Sequence, residues 1–256
     1  MRSALKNQIK RILKKFDLAI TRQSHLEQLE KENRASNVID LLRELPGQTN
    51  TELLALSHHS RSQCGQDLFA LLESGFKRNG YFVEFGATDG ITLSNSFLME
   101  KEFEWSGILA EPARRWHRDL KANRSCHIET DCVWRESNSV LTFDEADWGE
   151  LSRARTPGSS DANPKGRTYT VKTISLLDLL AKYGAPRVID FLSIDTEGSE
   201  FEILNSFDFT KYQFKVIACE HNHEPRREQI FSLLTANGYV RKFEGISGYD
   251  DWYVLK

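Results

Sequence analysis

One ten-residue stretch, residues 81–90, constrains the fold of this chain more than any other. Its first half, Tyr81 to Phe85, is an apolar run rich in aromatic and β-branched side chains, which is typical of a buried central strand. Its second half is a short loop that holds Gly86 and Gly90. A glycine turn at the carboxyl end of a parallel strand lets the backbone approach a ligand closely. The stretch therefore predicts a strand followed by a ligand-binding turn.

A second apolar strand, predicted over residues 107–111, ends in Glu111. This acid follows the glycine loop by about 20 residues, the spacing at which nucleotide-binding folds place an acid that accepts hydrogen bonds from ribose hydroxyls. Together the two strands indicate a cofactor that contains a nucleoside. The loop lacks the Gly-x-Gly-x-x-Gly pattern of dinucleotide-binding proteins, which disfavours a dehydrogenase.

Charge is unevenly distributed along the chain. The 256 residues carry a net charge of −3, but residues 1–22 contain seven basic residues and one acid, so they carry +6 and the remainder carries −9. An acidic body disfavours a nucleic-acid-binding face. The sequence has no apolar run long enough to cross a membrane and no secretory signal pattern, so we expect a cytoplasmic protein.

The first 57 residues are expected to form a helical extension, with the main domain over 58–256. Residues 1–20 place apolar side chains at helical spacing and lysines on another face. Such a helix can pack on its own domain or on a partner chain. Alternatively, residues 1–22 can lie on the anionic inner face of a membrane.

Strands and helices alternate after residue 80, which predicts an α/β domain whose mostly parallel sheet is covered on both faces. The polar, turn-rich segment 144–167 is predicted to be a long loop near the substrate. The other elements predicted after residue 90 are a helix over 94–101, a helix around 114–123, a third strand over 126–133, a short strand over 139–143, a helix over 173–183, a strand over 188–194, a helix over 200–206, a strand over 214–220, a helix over 226–237, and terminal strands over 239–243 and 252–255.

Four predicted strands end in acids: Glu84, Glu111, Asp195 and Glu220. Ligands of parallel sheets bind outside the carboxyl ends of the strands. The four acids therefore predict a functional site at this edge of the sheet.

The motifs around these acids resemble those of FkbM-type methyltransferases. They are residues 83–90, Ala110-Glu111-Pro112, residues 194–200 with the pattern Ile-Asp-x-Glu-Gly-x-Glu, and residues 251–254. The resemblance covers roughly residues 60–256. It implies a Rossmann-like class I fold with a seven-stranded sheet, S-adenosylmethionine as the cofactor, and methyl transfer to hydroxyls of sugars or polyketide-linked groups.

The resemblance also implies which residues bind the cofactor. The glycine loop would hold the amino-acid part, Glu111 the ribose diol, and Asp131 the amino group of adenine. The expected cofactor-binding residues are Glu84, Gly86, Ala87, Asp89, Gly90, Glu111 and Asp131. In the segment before the core, Gln63 and Asp67 are expected to close over the cofactor pocket; alternatively, Asp67 caps a helix.

Methyl transfer requires alignment of the acceptor oxygen with the methyl carbon and removal of the hydroxyl proton. Asp195 or His221 is the expected general base. A second mechanism uses Mg²⁺ bound by Asp195 and Glu220, since carboxylates are hard oxygen ligands. Glu197 and Glu200 are expected to cap the following helix.

The sequence thus predicts an S-adenosylmethionine-dependent O-methyltransferase that acts on a carbohydrate or glycan hydroxyl. The alternative is a Rossmann-like module that binds a nucleotide or nucleotide-sugar without methyl transfer.

Overall fold

The computed structural model describes residues 39–44, 49–147, 149–155, 166–223 and 225–256. The basic helix predicted within residues 1–22 lies outside the described residues. After a helical segment at 39–43, the elements up to residue 129 are α1 (Thr49–Ser57), α2 (Gln66–Glu73), β1 (Tyr81–Phe85), α3 (Phe97–Phe103), β2 (Ser106–Ala110), α4 (His117–Asn123) and β3 (His127–Glu129).

The elements after residue 129 include eight strands and three α-helices among the residues described. They are β4 (Cys132–Trp134), β5 (Val140–Ala146), a 3-10 turn (Gly149–Leu151), β6 (Arg153–Ala154), β7 (Gly166–Ser175), α5 (Leu176–Lys182), β8 (Val188–Ile194), α6 (Glu200–Asn205), β9 (Gln213–Glu220), α7 (Arg226–Ala236), β10 (Tyr239–Lys242) and β11 (Asp250–Leu255).

The main sheet has seven strands in the order β10-β11-β9-β8-β1-β2-β3. From β1 the chain proceeds outward through β2 to β3, and then returns to β8 on the other side of β1. The strand order therefore reverses between β1 and β8. Ligands of open α/β sheets bind at such a switch point, outside the carboxyl ends of the strands.

The prediction of a mostly parallel sheet is correct for the five neighbouring strands β3, β2, β1, β8 and β9. It is wrong at the edge formed by β10 and β11. β11 runs antiparallel to both β9 and β10, so the sheet is mixed. The short connection from β10 to β11 explains the reversal, because parallel neighbours need a crossover of a dozen or more residues.

Helices cover both faces of this sheet, as predicted. Side chains of β1 alternate between two apolar clusters: Val83 and Phe85 pack with α5, α6 and α7, whereas Phe82 packs with α2, α3 and α4. Leu41 and Leu53 are buried in the second cluster, so the described end of the N-terminal extension packs on the domain. None of the helices in the described ranges is long and apolar enough to cross a membrane.

A second sheet of four strands, β4-β7-β5-β6, was not expected. The third strand predicted over 126–133 is wrong, because it breaks after Glu129 and continues as β4 in the second sheet. The loop predicted over 144–167 is wrong in part, since β5 extends to Ala146 and β7 begins at Gly166.

The helix predicted from residue 173 begins later, at Leu176. Thr173 belongs to β7, where it pairs with Cys132 of β4. The helix begins after Ser175 because the Ser175 hydroxyl accepts a hydrogen bond from the backbone N–H of Asp178, the contact that an N-cap residue makes.

Candidate functional site

A cleft opens where β1, β2 and β8 end. Among the residues that line it are four of the predicted site residues: Glu84, Gly86, Glu111 and Asp195. The fold thus brings together acids that are up to 111 positions apart in the sequence.

Gly86 is the point of closest contact between the ends of β1 and β8. Its φ is +75°, and a Cβ atom there would lie 2.2 Å from the carbonyl oxygen of Asp195. Both the backbone conformation and the space therefore require glycine. Gly90 also has a positive φ, +81°, and a Cβ would lie 2.6 Å from Cγ of Arg124.

Glu84 holds the segment after the glycine loop. Its carboxylate accepts a hydrogen bond of 2.7 Å from the backbone N–H of Asn95 and one of 3.1 Å from the hydroxyl of Ser94. The Ser96 hydroxyl donates to the same carboxylate. Glu84 therefore forms the floor of the cleft and fixes residues 94–96 above it.

Arg124 supports this arrangement, and sequence reasoning missed it. Its side chain is fully buried beside Glu100. The guanidinium donates to the carbonyl of Gly90 at 3.0 Å and to the hydroxyls of Ser94 and Ser96 at 3.0 and 2.9 Å. One arginine thus links the glycine loop to the hydroxyl groups that bind Glu84.

Asn95 was also missed. It lines the cleft, and its side-chain N–H donates to the hydroxyl of Ser193 at 2.9 Å. Its Oδ1 is buried and has no hydrogen-bond partner among the described residues. A buried amide oxygen of this kind is available to a ligand that carries N–H or O–H groups.

Glu111 lies at the end of β2. Its two carboxylate oxygens accept hydrogen bonds of 2.8 Å from the backbone N–H groups of Thr88 and Ala113. The two bonds fix the carboxylate between the glycine loop and the start of α4. Burial outweighs these bonds and raises the pKa of Glu111 to about 7.

The second sheet contributes an apolar wall that the sequence did not reveal. Cys132, Val133, Phe143 and Ala154 line the cleft on this side. Asp131, the residue expected to bind adenine, lies instead in a neighbouring groove with Arg114 and His117; the role that the resemblance implies for it stays a prediction.

Ala87 and Asp89 of the glycine loop make their contacts within the protein. Ala87 is buried in the core beneath the loop. The Asp89 carboxylate accepts hydrogen bonds from the backbone N–H groups of Ile91 and Thr92, at 2.8 and 2.7 Å. Neither residue lines the cleft, and neither does Gly90, so these three shape the loop while their contact with a cofactor stays a prediction.

Three carboxyl groups meet at the other end of the cleft. One oxygen from each of Asp195, Glu197 and Glu220 lies within 4.8 Å of the other two. Burial and the nearby Asp250 raise the pKa of Asp195 to about 7. Burial and Asp195 raise the pKa of Glu220 well above its usual range, so without a cation the pair holds a proton at neutral pH.

Glu200 makes no contact of this kind. Its carboxylate accepts hydrogen bonds from the backbone N–H groups of Thr196 and Gly198, at 2.9 and 3.1 Å. It therefore fixes the turn between Asp195 and α6, close to the capping role expected for it.

His221 is buried and does not line the cleft. Its Nδ1 accepts the backbone N–H of His223 at 2.9 Å, so in the neutral imidazole the proton is on Nε2, which lies 3.7 Å from Asp251. This arrangement favours Asp195 over His221 as the general base.

The segment before α2 packs against the same corner. Gln66, which was not singled out from the sequence, donates to the carboxylate of Asp250 at 2.8 Å. Asp67 is buried and accepts hydrogen bonds from the hydroxyls of Ser60 and Ser62, so it fixes the loop from within. Gln63 is exposed.

Comparison with known proteins gives one family. A sequence model of the methyltransferase FkbM domain matches residues 84–243, more than half of the chain. No curated protein sequence matches.

Several solved structures resemble this one at low sequence identity. Precorrin-6y C5,15-methyltransferase from Geobacter metallireducens GS-15 is 12% identical, with a TM-score of 0.42, over 74% of this chain and 88% of that one. Ribosomal protein L11 methylase from Lactobacillus delbrueckii subsp. bulgaricus is 10% identical, with a TM-score of 0.38, over 75% and 76%. The N-terminal domain of human METTL16 is 13% identical, with a TM-score of 0.39, over 73% and 66%. These structural similarities are distant, and the family assignment comes from the sequence match alone.

Proposed function

This chain belongs to the FkbM-domain methyltransferase family, and from that premise we propose that it transfers a methyl group from S-adenosylmethionine to a hydroxyl of a carbohydrate or glycan-type acceptor. The observation that carries the proposal is that one cleft is lined by two polar side chains suited to binding different parts of the cofactor. Glu111 is a buried carboxylate held by two backbone N–H groups, and Asn95, which lines the same cleft, has a buried amide oxygen with no partner among the residues that the structure describes.

The residues of the cleft fit a nucleoside. Glu111 uses each oxygen for one backbone N–H, and each oxygen has a further lone pair to accept a ribose hydroxyl. The apolar side chains of Val133, Phe143 and Ala154 offer a surface on which a nucleobase would be withdrawn from water.

The residues also fit the amino-acid part of the cofactor. The free Oδ1 of Asn95 is an acceptor for an ammonium group. The carboxylate of Glu84 lies in the same floor, where its negative charge favours a cation. Asp195 and Glu197 extend this negative region toward the position of a sulfonium.

S-Adenosylmethionine supplies a methyl group on a cationic sulfur, which is a good leaving group. The protein must therefore orient the acceptor and accept its proton. Asp195 lines the cleft beside Gly86, and its carboxylate can accept the proton of the acceptor hydroxyl. If Mg²⁺ is bound, its proposed role is to hold the acceptor.

The chemistry of this end of the cleft supports a hydroxyl acceptor. Carboxylates accept hydrogen bonds from hydroxyl groups. Tyr249, whose carbonyl accepts the backbone N–H of His221, is 51% exposed. An exposed aromatic ring offers a flat apolar surface for one face of a sugar ring.

The proposed setting is the cytoplasm, with residues 1–22 on the inner face of a membrane and no nucleic-acid partner. The acidic charge of residues 23–256 supports the last point.

Calorimetric titration tests the proposed function. We expect S-adenosylmethionine and S-adenosylhomocysteine to bind the wild-type chain, and both to bind Glu111→Ala more weakly. Glu136→Ala, which removes an exposed acid outside the cleft lining, is the control. NAD or a uridine diphosphate sugar binding in place of S-adenosylmethionine would refute the proposal and favour a nucleotide-binding module without methyl transfer.

A further inference from the structure

Asp195, Glu197 and Glu220 form an acidic group at the end of the cleft where methyl transfer is proposed, which we call the transfer end. The group is built from the ends of two strands and the turn that follows the first of them. Asp195 follows β8, Glu197 lies in the turn before α6, and Glu220 is the last residue of β9. One oxygen of each lies within 4.8 Å of the other two. Because β8 and β9 are adjacent parallel strands, the backbone fixes this convergence.

Glu220 contributes an unsatisfied polar atom to this group. It is only 8% exposed, and its Oε2 is buried without a hydrogen-bond partner among the described residues. An unsatisfied buried acceptor is energetically costly, and such atoms in native proteins commonly mark an ion or a water.

Two arginines pair with Asp251, an acid outside the group. Arg227 and Arg241 bind the two oxygens of Asp251, at 2.7 and 3.2 Å. Arg226 donates to the carbonyl of Gly198 at 2.9 Å. Arg227 and Arg241 are thus paired with an acid outside the group.

The geometry suits a small hard cation. Mg²⁺ takes six oxygens at about 2.1 Å, so its ligand oxygens lie about 3 Å apart when adjacent and about 4 Å apart when opposite. Three oxygens within 4.8 Å of one another reach these separations by small rotamer adjustments. Three protein ligands leave coordination positions for water or for a ligand with paired hydroxyls.

We propose that Asp195, Glu197 and Glu220 bind one divalent cation, Mg²⁺ or Mn²⁺, at the transfer end of the cleft. The inference deepens the proposed function and rests on it in one respect: the cation would hold two oxygens of the acceptor. Asp195 contributes one oxygen to the cation, and its second oxygen stays available to the acceptor proton. Glu197 is the ligand that sequence reasoning did not include.

Mn²⁺ binding to the full chain tests this inference without an acceptor. Free Mn²⁺ is followed by electron paramagnetic resonance, and Mg²⁺ is then added as a competitor. We expect one Mn²⁺ per chain, displaced by Mg²⁺, and at least about tenfold weaker binding in Glu197→Gln and in Glu220→Gln. Glu202→Gln changes an acid on α6 outside the group and should bind like the wild type.

Two outcomes would overturn the inference. One is no Mn²⁺ binding to the wild type up to about 10 mM, a range that includes weak protein sites. The other is unchanged binding in both Glu197→Gln and Glu220→Gln.

Titration of S-adenosylhomocysteine on the same preparations separates this inference from the proposed function. Cofactor binding without Mn²⁺ binding removes only the metal site. Mn²⁺ binding without cofactor binding removes the proposed function and retains the metal site. Cofactor binding by each variant also establishes that it is folded.

Discussion

Glu111 gives the most quantitative prediction, because the carboxylate proposed to bind the cofactor also lowers the stability of the cofactor-free protein when it is ionised. The buried carboxylate is placed for a ribose, yet its burial in the empty protein is unfavourable when it is ionised. Glu111→Gln removes the titration and keeps the shape of the side chain. We expect this variant to lose the pH dependence that Glu111 gives to the stability of the wild type.

The sign follows from the two pKa values. The folded pKa is raised to about 7 from the ordinary value of 4.5, so the folded state holds the proton more tightly than the unfolded state. The stabilising contribution is therefore fully present below pH 4.5 and is lost as the pH rises to about 7. The whole effect is about 3 kcal/mol, and about 2.5 kcal/mol of it falls between pH 5 and pH 8.

Glutamine at this position has one cost that does not depend on pH. Its carbonyl can accept only one of the N–H groups of Thr88 and Ala113, and its own NH₂ opposes the other. The cost is about 1–3 kcal/mol. It cancels when the same variant is compared at two pH values.

The assay is urea unfolding of the cofactor-free protein at about pH 5 and about pH 8. The wild type should lose about 2.5 kcal/mol more stability than Glu111→Gln over this interval. Equal losses in the two proteins would refute the reasoning.

Glu100→Gln is a control of opposite sign. Burial alone would raise the pKa of Glu100, but the Arg124 guanidinium and further hydrogen bonds hold it below its ordinary value. Its stabilising contribution is lost as the pH falls through that lowered value. The wild type should therefore lose more stability on acidification than Glu100→Gln does.

Four further predictions concern other parts of the molecule. Arg124→Met should lower the free energy of unfolding by about 3–5 kcal/mol, because it removes the buried guanidinium that pairs with Glu100 and donates to the Gly90 carbonyl, whereas the exposed Arg118→Met should cause no measurable change in urea unfolding. Gly86→Ala should cost more than about 2 kcal/mol in the same assay, since its Cβ would meet the carbonyl of Asp195; unchanged stability would contradict the close contact. Asp195→Asn should lower kcat about 10²–10⁴-fold while calorimetric binding of S-adenosylhomocysteine persists, and equal loss of both would contradict its role as base. Deletion of residues 1–22 should abolish sedimentation with phosphatidylserine vesicles, and unchanged sedimentation would rule out the proposed membrane contact.

Sequence reasoning succeeded where the signal is local. The strands at residues 81–85 and 188–194 were predicted because a continuous apolar run is typical of a strand buried on both faces. Glu111 and Asp195 were placed at the cleft because acids at the ends of parallel strands share one edge of the sheet.

It failed where the outcome depends on distant partners. Residues 126–133 have the composition of one strand, but the chain turns after Glu129, whose carboxylate accepts the backbone N–H groups of Thr130 and Asp131. β4 then joins β7, about forty residues later in the sequence. Composition does not specify such pairing, because the second strand becomes available only through the tertiary fold.

The sequence by itself determined the order of strands and helices, the glycine turn at Gly86 and the acids at the strand ends, because each depends on neighbours in the chain. Only the tertiary structure decided that Arg124 supports Glu84, that Asn95 keeps a free acceptor, and that Glu197 joins Asp195 and Glu220. The physical reason is that burial and charge proximity arise from packing between segments. These two factors determine which polar groups are satisfied and which remain available to a ligand.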